Sequence, residues 1–210
     1  MTERFQSLWG QAAARNQGIT MLEKEAGLVH ELLSLRKQTK SYLEIGGYCG
    51  GSLWIYGQAF VPATRLCSVN DNNEGETCDA SELEYTAGRL VNRGYPTQIF
   101  HADSQKESTA NAVWNLWAQD QDIDVILVNA DHTLDGTVRN LELYVPMLGR
   151  SGTLLLHNIL GQEGSGLAWD HLKVHRKHYG LASAFFETIE IDDHYGMGVV
   201  TKDPGPGHRV

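Results

Sequence analysis

Residues 41–52 read Ser41-Tyr-Leu-Glu-Ile-Gly-Gly-Tyr-Cys-Gly-Gly-Ser52, a short apolar strand that carries one acid and then breaks into glycines. Glycines at a strand-to-helix turn let main-chain N–H groups approach a ligand closely, because no Cβ intervenes. A dinucleotide fingerprint requires Gly-x-Gly-x-x-Gly, and its second glycine would fall on Tyr48. The pattern that fits is Glu44-x-Gly46-x-x-x-Gly50. It predicts a ligand-binding turn at the carboxyl edge of a parallel sheet, with a purely structural turn as the alternative.

Composition narrows the class of protein. The chain has 210 residues, of which 41% are hydrophobic, which suits one domain with a sizeable core. Its 26 acidic and 17 basic residues give a net charge of −9, which argues against a nucleic-acid partner. The N-terminus lacks a signal-type apolar core, and no apolar run approaches the roughly 20 residues that span a bilayer. With three cysteines and no metal-type pairing, we expect a reduced, cytoplasmic protein without a membrane partner.

Apolar periodicity predicts alternating strands and helices. Helices are expected between consecutive strands as far as the sixth, the last of them over about 166–179. A capping box at Thr20 and Glu23 is expected to start the helix before the first strand. Five strands alternating with helices and followed by a hairpin predict a doubly wound α/β sheet. The strands are predicted at Ser41–Ile45, 65–69, Thr97–His101, Ile123–Val128, 152–157, 185–191 and 196–201.

The predicted domain organisation is simple. Residues 1–40 form a helical lead-in, 41–202 form the ligand-binding domain, and 203–210 form a flexible tail.

Polar side chains follow each of the first five strands. In a doubly wound sheet the ligand lies over these strand ends, so the whole set is a candidate site. The alternative is that strand ends are polar simply because they meet water. The set comprises Glu44, Gly46, Gly47, Gly50 and Ser52 after strand one, Asn70 and Asp71 after strand two, Asp103 and Ser104 after strand three, Asn129, Asp131 and His132 after strand four, and His157 and Asn158 after strand five.

Two stretches resemble one known family. The glycine turn resembles motif I of the class I S-adenosylmethionine (SAM) methyltransferases. The stretch Asp124-Val-Ile-Leu-Val-Asn-Ala-Asp-His132, with the later His157-Asn158, resembles a methyltransferase group that overlaps with small-molecule O-methyltransferases and relatives of cephalosporin hydroxylase. The resemblance runs from about residue 18 to 202. It implies a Rossmann-like methyltransferase fold with a mostly parallel seven-stranded sheet and an antiparallel C-terminal strand.

The resemblance also implies roles for the residues that would bind SAM. The turn from Gly46 through Gly47 to Gly50 would cradle the methionine part, with Ser52 at the start of the following helix. Glu44 would orient the turn or the SAM amino group. The family has an acid after strand two that holds the ribose hydroxyls, whereas this chain has Asn70 followed by Asp71, so either residue is a candidate. Asp103 and Ser104 match the strand-three positions that meet the adenine, and Asn129 is placed in the same site.

The metal position departs from the family. Related O-methyltransferases hold a divalent cation with an acid after strand four and an Asp-Asp or Asp-Asn pair after strand five. Here Asn129 and His157-Asn158 stand in those places, which leaves Asp131, His157 and Asn158 as candidate ligands. Such a set is poor for Mg²⁺ but suits a softer metal such as Fe²⁺, Mn²⁺ or Zn²⁺. The alternative is that both asparagines hydrogen-bond SAM or the loops and no metal is needed.

The expected activity is SAM-dependent methyl transfer to a small molecule, at a hydroxyl oxygen of a sugar or natural product. SAM carries its own activated methyl group, so the enzyme needs alignment and a base. Asp131, His132 and His157 are the candidate catalytic residues, and a homodimer is a candidate assembly. The alternatives are a metal-dependent, hydroxylase-like relative and a non-catalytic protein that binds SAM or a partner.

Overall fold

The computed structural model describes residues 1–14, 21–71, 79–117, 122–160, 164–190 and 195–203. The chain divides into two compact units, an N-terminal unit, Met1–Ser104, and a C-terminal unit, Gln105–Val210. The predicted capping residue Thr20 and the tail from 204 onward lie outside the described residues, as does most of the turn before the last strand.

The N-terminal unit contains three parallel strands. The first strand is buried along its whole length, and Glu44 lies opposite Ser68 in the register of the first pair. The side chain of Thr2 caps the first helix by accepting a hydrogen bond from the Phe5 N–H at 3.2 Å. The elements are α1 (Glu3–Ala13), α2 (Glu23–Ser34), β1 (Ser41–Ile45), α3 (Gly51–Gly57), β2 (Arg65–Asn70), α4 (Ala80–Val91) and β3 (Thr97–His101).

The C-terminal unit contains a parallel pair followed by two antiparallel strands. The parallel pair is almost wholly apolar, as strands covered on both faces should be. The last strand lies antiparallel to its neighbours on both sides. The elements are α5 (Glu107–Trp117), β4 (Ile123–Val128), α6 (Leu134–Tyr144), a 3₁₀ turn (Val145–Met147), β5 (Leu148–His157), α7 (Ser165–Val174), β6 (Phe185–Ile189) and β7 (Met197–Thr201).

The sheet has seven strands in the order β3-β2-β1-β4-β5-β7-β6. The predicted α/β class, the seven strands and the antiparallel C-terminal pair are therefore confirmed. The boundaries predicted at residues 40 and 202 stay predictions. Within the described part of the chain, no helix is both long enough and apolar enough to cross a membrane.

Two predicted element boundaries differ from the structure. Strand β5 begins at Leu148 rather than at 152, because Pro146 ends α6 in a 3₁₀ turn that leads directly into the strand. Helix α7 ends at Val174 rather than near Tyr179, and residues 175–180 form turns that Gly180 closes with a positive φ of 68°.

Helix α7 packs closely on β7 through a glycine. A Cβ at Gly198 would lie 2.7 Å from the Trp169 ring, which is 4% exposed. This close approach holds α7 against the sheet of the C-terminal unit.

We expect Gly198→Ala to lower the free energy of unfolding by about 1–3 kcal/mol, because the added methyl overpacks the Trp169 ring. Gly88→Ala is the matched control, since nothing lies within 4 Å of its Cβ position on α4, and it should stabilise by about 0.5–1 kcal/mol. Urea unfolding of both variants measures the two effects, and equal stability of the two would contradict this packing.

Candidate functional site

The turn after β1 needs glycine for two separate reasons. Gly46 and Gly50 have φ angles of 93° and 83°, in the left-handed region that other residues avoid. At Gly50 a Cβ would also come within 2.9 Å of the Thr86 side chain on α4. The turn is closed by a hydrogen bond of 2.7 Å from the Gly50 N–H to the Gly47 carbonyl. The glycines read from the sequence therefore form one compact turn.

A buried carboxylate lies directly beneath this turn. Glu44 has no exposed surface, and the hydroxyls of Tyr42 and Ser68 donate to its two oxygens at 3.4 and 3.3 Å. Ser52, the second residue of α3, provides a further hydrogen bond. A Cβ on Gly47 would lie 2.1 Å from the Ser68 hydroxyl, so the turn rests on this cluster. Desolvation raises the pKa of Glu44 from 4.5 to about 7, although the hydroxyl hydrogen bonds oppose the rise.

The end of β2 distinguishes the two ribose candidates. The Asn70 side chain is buried, and its Oδ1 accepts the Tyr48 N–H at 2.8 Å, so it holds the glycine turn in place. Asp71 follows it and is exposed. At the end of β3, Asp103 is half-buried and Ser104 is buried.

Cys49 in the glycine turn is disulfide-bonded, whereas Cys67 on β2 is buried and free. The third cysteine, Cys78, lies outside the described residues. The cysteine count led us to expect reduced cysteines, and the disulfide at Cys49 differs from that expectation.

In the C-terminal unit, two predicted site residues form a buried pair. His157 at the end of β5 is 1% exposed, and its Nδ1 lies 2.8 Å from Asn129 Oδ1. Because the amide oxygen only accepts, His157 carries its proton on Nδ1 in this pair. Its ring also packs against Tyr195, with centroids 5.7 Å apart. This surrounding is typical of a structural histidine.

Both carboxylate oxygens of Asp131 accept hydrogen bonds. Its Oδ1 accepts the Thr133 N–H at 2.8 Å, and its Oδ2 accepts from the Gln105 side chain at 2.8 Å. Partial burial raises the pKa of Asp131, but the hydrogen bonds from Thr133 and Gln105 outweigh burial, and the pKa lies below its usual value. A carboxylate with a lowered pKa is a weak base.

His132 differs from both of these residues because it is partly exposed. Its Nδ1 lies 3.4 Å from the Ser165 hydroxyl, and the Asn158 amide nitrogen lies 3.2 and 3.4 Å from its two ring nitrogens. Burial of part of the ring, together with the nearby His157, lowers the pKa of His132 against the opposing charge of Asp131. The ring is therefore neutral at pH 7 and able to accept a proton.

The three predicted metal ligands each contact different residues. Asp131 bonds Thr133 and Gln105, His157 bonds Asn129, and Asn158 faces His132. Among the residues that the structure describes, no group of three or more His, Cys, Asp or Glu side chains is arranged to hold a metal ion. The metal prediction thus gains no support from geometry.

Sequence reasoning missed the residues that hold the candidates in place. They are Tyr42 and Ser68 in the N-terminal unit, and Gln105, Thr137 and Ser165 in the C-terminal unit. The register of two parallel strands would bring Ser68 opposite Glu44. No motif or spacing in the sequence indicates the contacts of the other four residues.

Comparison with known proteins places this geometry in a family. A family model described as a methyltransferase domain matches residues 43–159, which is more than half of the chain. The chain belongs to this methyltransferase family. SAM is accordingly its cofactor, and the predicted enzyme class is confirmed.

Solved structures support the fold of this methyltransferase. A cofactor-bound protein from MTB has 13% sequence identity and a TM-score of 0.67, with 96% of this chain and 90% of that chain covered. An O-methyltransferase from Bacillus cereus in complex with SAH has 13% identity and a TM-score of 0.63, with 97% and 92% covered. A methyltransferase from Geobacter sulfurreducens has 14% identity and a TM-score of 0.62, with 96% and 89% covered. None of the curated proteins matches the chain in sequence.

The buried Glu44 carboxyl should make stability depend on pH. Its folded-state pKa of about 7 exceeds the ordinary value of 4.5, so the folded protein holds this proton more tightly than the unfolded chain does. The stabilisation is present below pH 4.5 and is lost as the pH rises to about 7, with a total of about 3 kcal/mol.

Glu44→Gln mimics the protonated acid and removes this titration. We expect the variant to match the parent protein near pH 4.5 and to be the more stable of the two at pH 8. Denaturant unfolding at several pH values gives the difference, and a difference that stays constant with pH would show that Glu44 does not titrate in this range.

Proposed function

We propose that this methyltransferase transfers the SAM methyl group to a hydroxyl oxygen of a small molecule, such as a sugar or a natural product. The observation that carries the proposal is His132, a partly exposed neutral imidazole at the carboxyl end of β4. A hydroxyl acceptor needs a group that removes its proton as the new bond forms, and a neutral imidazole does this near pH 7.

The glycine turn fits the methionine part of SAM. Gly46, Gly47 and Gly50 carry no side chains, so a ligand is able to approach the main chain of the closed turn. In this proposal Glu44 and Ser52 do not contact SAM themselves but fix the shape of the turn. When bound, SAM supplies a methyl group on a positively charged sulfur.

We assign the ribose to Asp71 rather than to Asn70. The Asn70 oxygen already accepts the Tyr48 N–H, whereas the Asp71 carboxylate is exposed and is able to accept two hydroxyl hydrogen bonds. Asp103 and Ser104 are proposed to meet the adenine. Asn129 is proposed to act through His157, because its oxygen is paired with that ring.

His132 is the proposed base among the three catalytic candidates. It takes the acceptor proton while the hydroxyl oxygen forms its bond to the methyl carbon, and the methyl–sulfur bond breaks to leave S-adenosylhomocysteine (SAH). Asp131 has a lowered pKa and His157 is buried in a pair, so both are proposed to support the loops. No step uses a metal, because each of the three candidate ligands has another partner.

The other proposals concern partners and location. We propose a small-molecule substrate, no nucleic-acid or membrane partner, a homodimer and a cytoplasmic location. Light scattering tests the dimer. Cell fractionation tests the location, and recovery of the protein outside the cytoplasmic fraction would overturn the cytoplasmic proposal.

The activity is tested by measuring SAH formation from SAM with a panel of hydroxylated small molecules. We expect His132→Ala to lower kcat about 100-fold or more while SAH affinity stays within about twofold. We expect Asp71→Ala to weaken SAH binding by about 10- to 100-fold, because it removes a charged hydrogen-bond acceptor. Asp170→Ala, which removes an exposed acid on α7, is the matched control and should change neither quantity.

Full activity of His132→Ala would overturn the assignment of the base. Absence of SAH formation with every acceptor, despite tight SAH binding, would favour a non-catalytic SAM-binding protein. Redox-active iron that stays with the purified protein would favour the hydroxylase-like alternative.

A further inference from the structure

Two hydroxyl groups form a short hydrogen-bonded chain that leads to the imidazole of His132. Thr137 on α6 and Ser165, the first residue of α7, are 1% and 3% exposed. The Thr137 hydroxyl lies 2.8 Å from the Asp131 carbonyl oxygen and 3.3 Å from the Ser165 hydroxyl oxygen. The Ser165 oxygen lies 3.4 Å from His132 Nδ1.

Each hydroxyl has a single proton, and that fixes the direction of the chain. A carbonyl oxygen only accepts, so the Thr137 proton is donated to Asp131. The Thr137 oxygen is then an acceptor for Ser165, whose own proton is used there. The Ser165 oxygen thus presents a lone pair to His132, and all three contacts are hydrogen bonds only when His132 Nδ1 carries a proton.

We propose that Ser165 and Thr137 are positioning residues that hold His132 as its Nδ1–H tautomer and leave Nε2 as the proton acceptor. The proposal deepens the proposed function and rests on it for the role of the base. Nε2 of this tautomer has its lone pair in the plane of the ring, where a hydroxyl proton is transferred to it. The reverse tautomer would present an N–H, which is unable to take that proton.

The Asn158 amide leaves this assignment intact. Its nitrogen lies at nearly equal distances, 3.2 and 3.4 Å, from the two ring nitrogens, a position over the face of the ring and away from the lone pairs in its plane. The amide therefore favours neither tautomer and leaves the Nε2 lone pair open to an acceptor hydroxyl.

A glycine keeps Ser165 within reach of the ring. Gly164 has a φ of 55°, and a Cβ there would lie 1.7 Å from the His132 carbonyl oxygen. The start of α7 is therefore pressed against the main chain of His132. This contact sets the distance between the Ser165 hydroxyl and the imidazole.

The test reads the tautomer directly. Long-range ¹H–¹⁵N correlation spectra of ¹⁵N-histidine-labelled protein distinguish protonated from unprotonated ring nitrogens, and His132→Gln identifies the His132 signals. At a pH where the ring is neutral, we expect Nδ1 protonated and Nε2 unprotonated in the parent protein. Ser165→Ala and Thr137→Val should shift the population toward the Nε2–H form, and Ser165→Thr should restore the parent pattern.

Thr201→Val is the matched control. Thr201 and Thr153 form another threonine hydroxyl pair of the C-terminal unit, with oxygens 3.4 Å apart, and the loss of one member should leave the His132 spectrum unchanged. In the activity assay, Ser165→Ala should lower kcat about tenfold with unchanged SAH affinity, a difference of about 1.4 kcal/mol.

An Nε2–H tautomer in the parent protein would overturn the proposal, as would an unchanged tautomer in Ser165→Ala. If Ser165→Ala does not fold, Thr137→Val and the parent spectrum decide the question. The spectra need neither SAM nor an acceptor. If the spectra show the Nδ1–H tautomer but no SAH forms, the proposed function is overturned. The positioning role of Ser165 and Thr137 is then still supported.

Discussion

The buried carboxylate of Glu44 is the constraint on which the glycine turn depends. A carboxyl group without solvent contact must be hydrogen-bonded, and Tyr42, Ser52 and Ser68 provide those bonds from three different elements. Because Gly47 rests on the Ser68 hydroxyl, the cluster determines where the turn lies and how α3 begins. An apolar residue at position 44 would remove the reason for these hydroxyls to converge. The acid of the motif thus organises the structure of the turn.

The two units hold their polar groups in different ways. In the N-terminal unit the polar groups are buried: Glu44 is bonded to neighbouring hydroxyls, and Asn70 is bonded to the Tyr48 main chain and holds the turn in place. In the C-terminal unit His132 remains partly exposed, and the groups behind it determine where its proton lies. A methyl donor that is already activated needs little more from a protein than alignment and a proton acceptor.

Much of the fold could be predicted from local pattern. The apolar run of β4 and the glycines after β1 determine their own structures, and the alternation of strands and helices determines the class of sheet. The start of β5 was missed because the end of α6 depends on Pro146 and on pairing with β4. The contact between the His132 ring and the Ser165 hydroxyl could not be predicted, because the two residues lie 33 positions apart in the sequence. No periodicity marks such a contact, which exists only once α7 has packed on the sheet.

We expect the chain to bind the SAM family of ligands without help from a metal. Calorimetric titration with SAH in chelator-treated buffer, repeated with Mg²⁺ or Mn²⁺, measures this binding. We expect affinity in the roughly micromolar range that is the same in all three buffers, about −8 kcal/mol. Absence of binding in every buffer would contradict the assignment of the glycine turn. Binding that appears only with a metal would contradict the metal-independent site and restore Asp131, His157 and Asn158 as ligands.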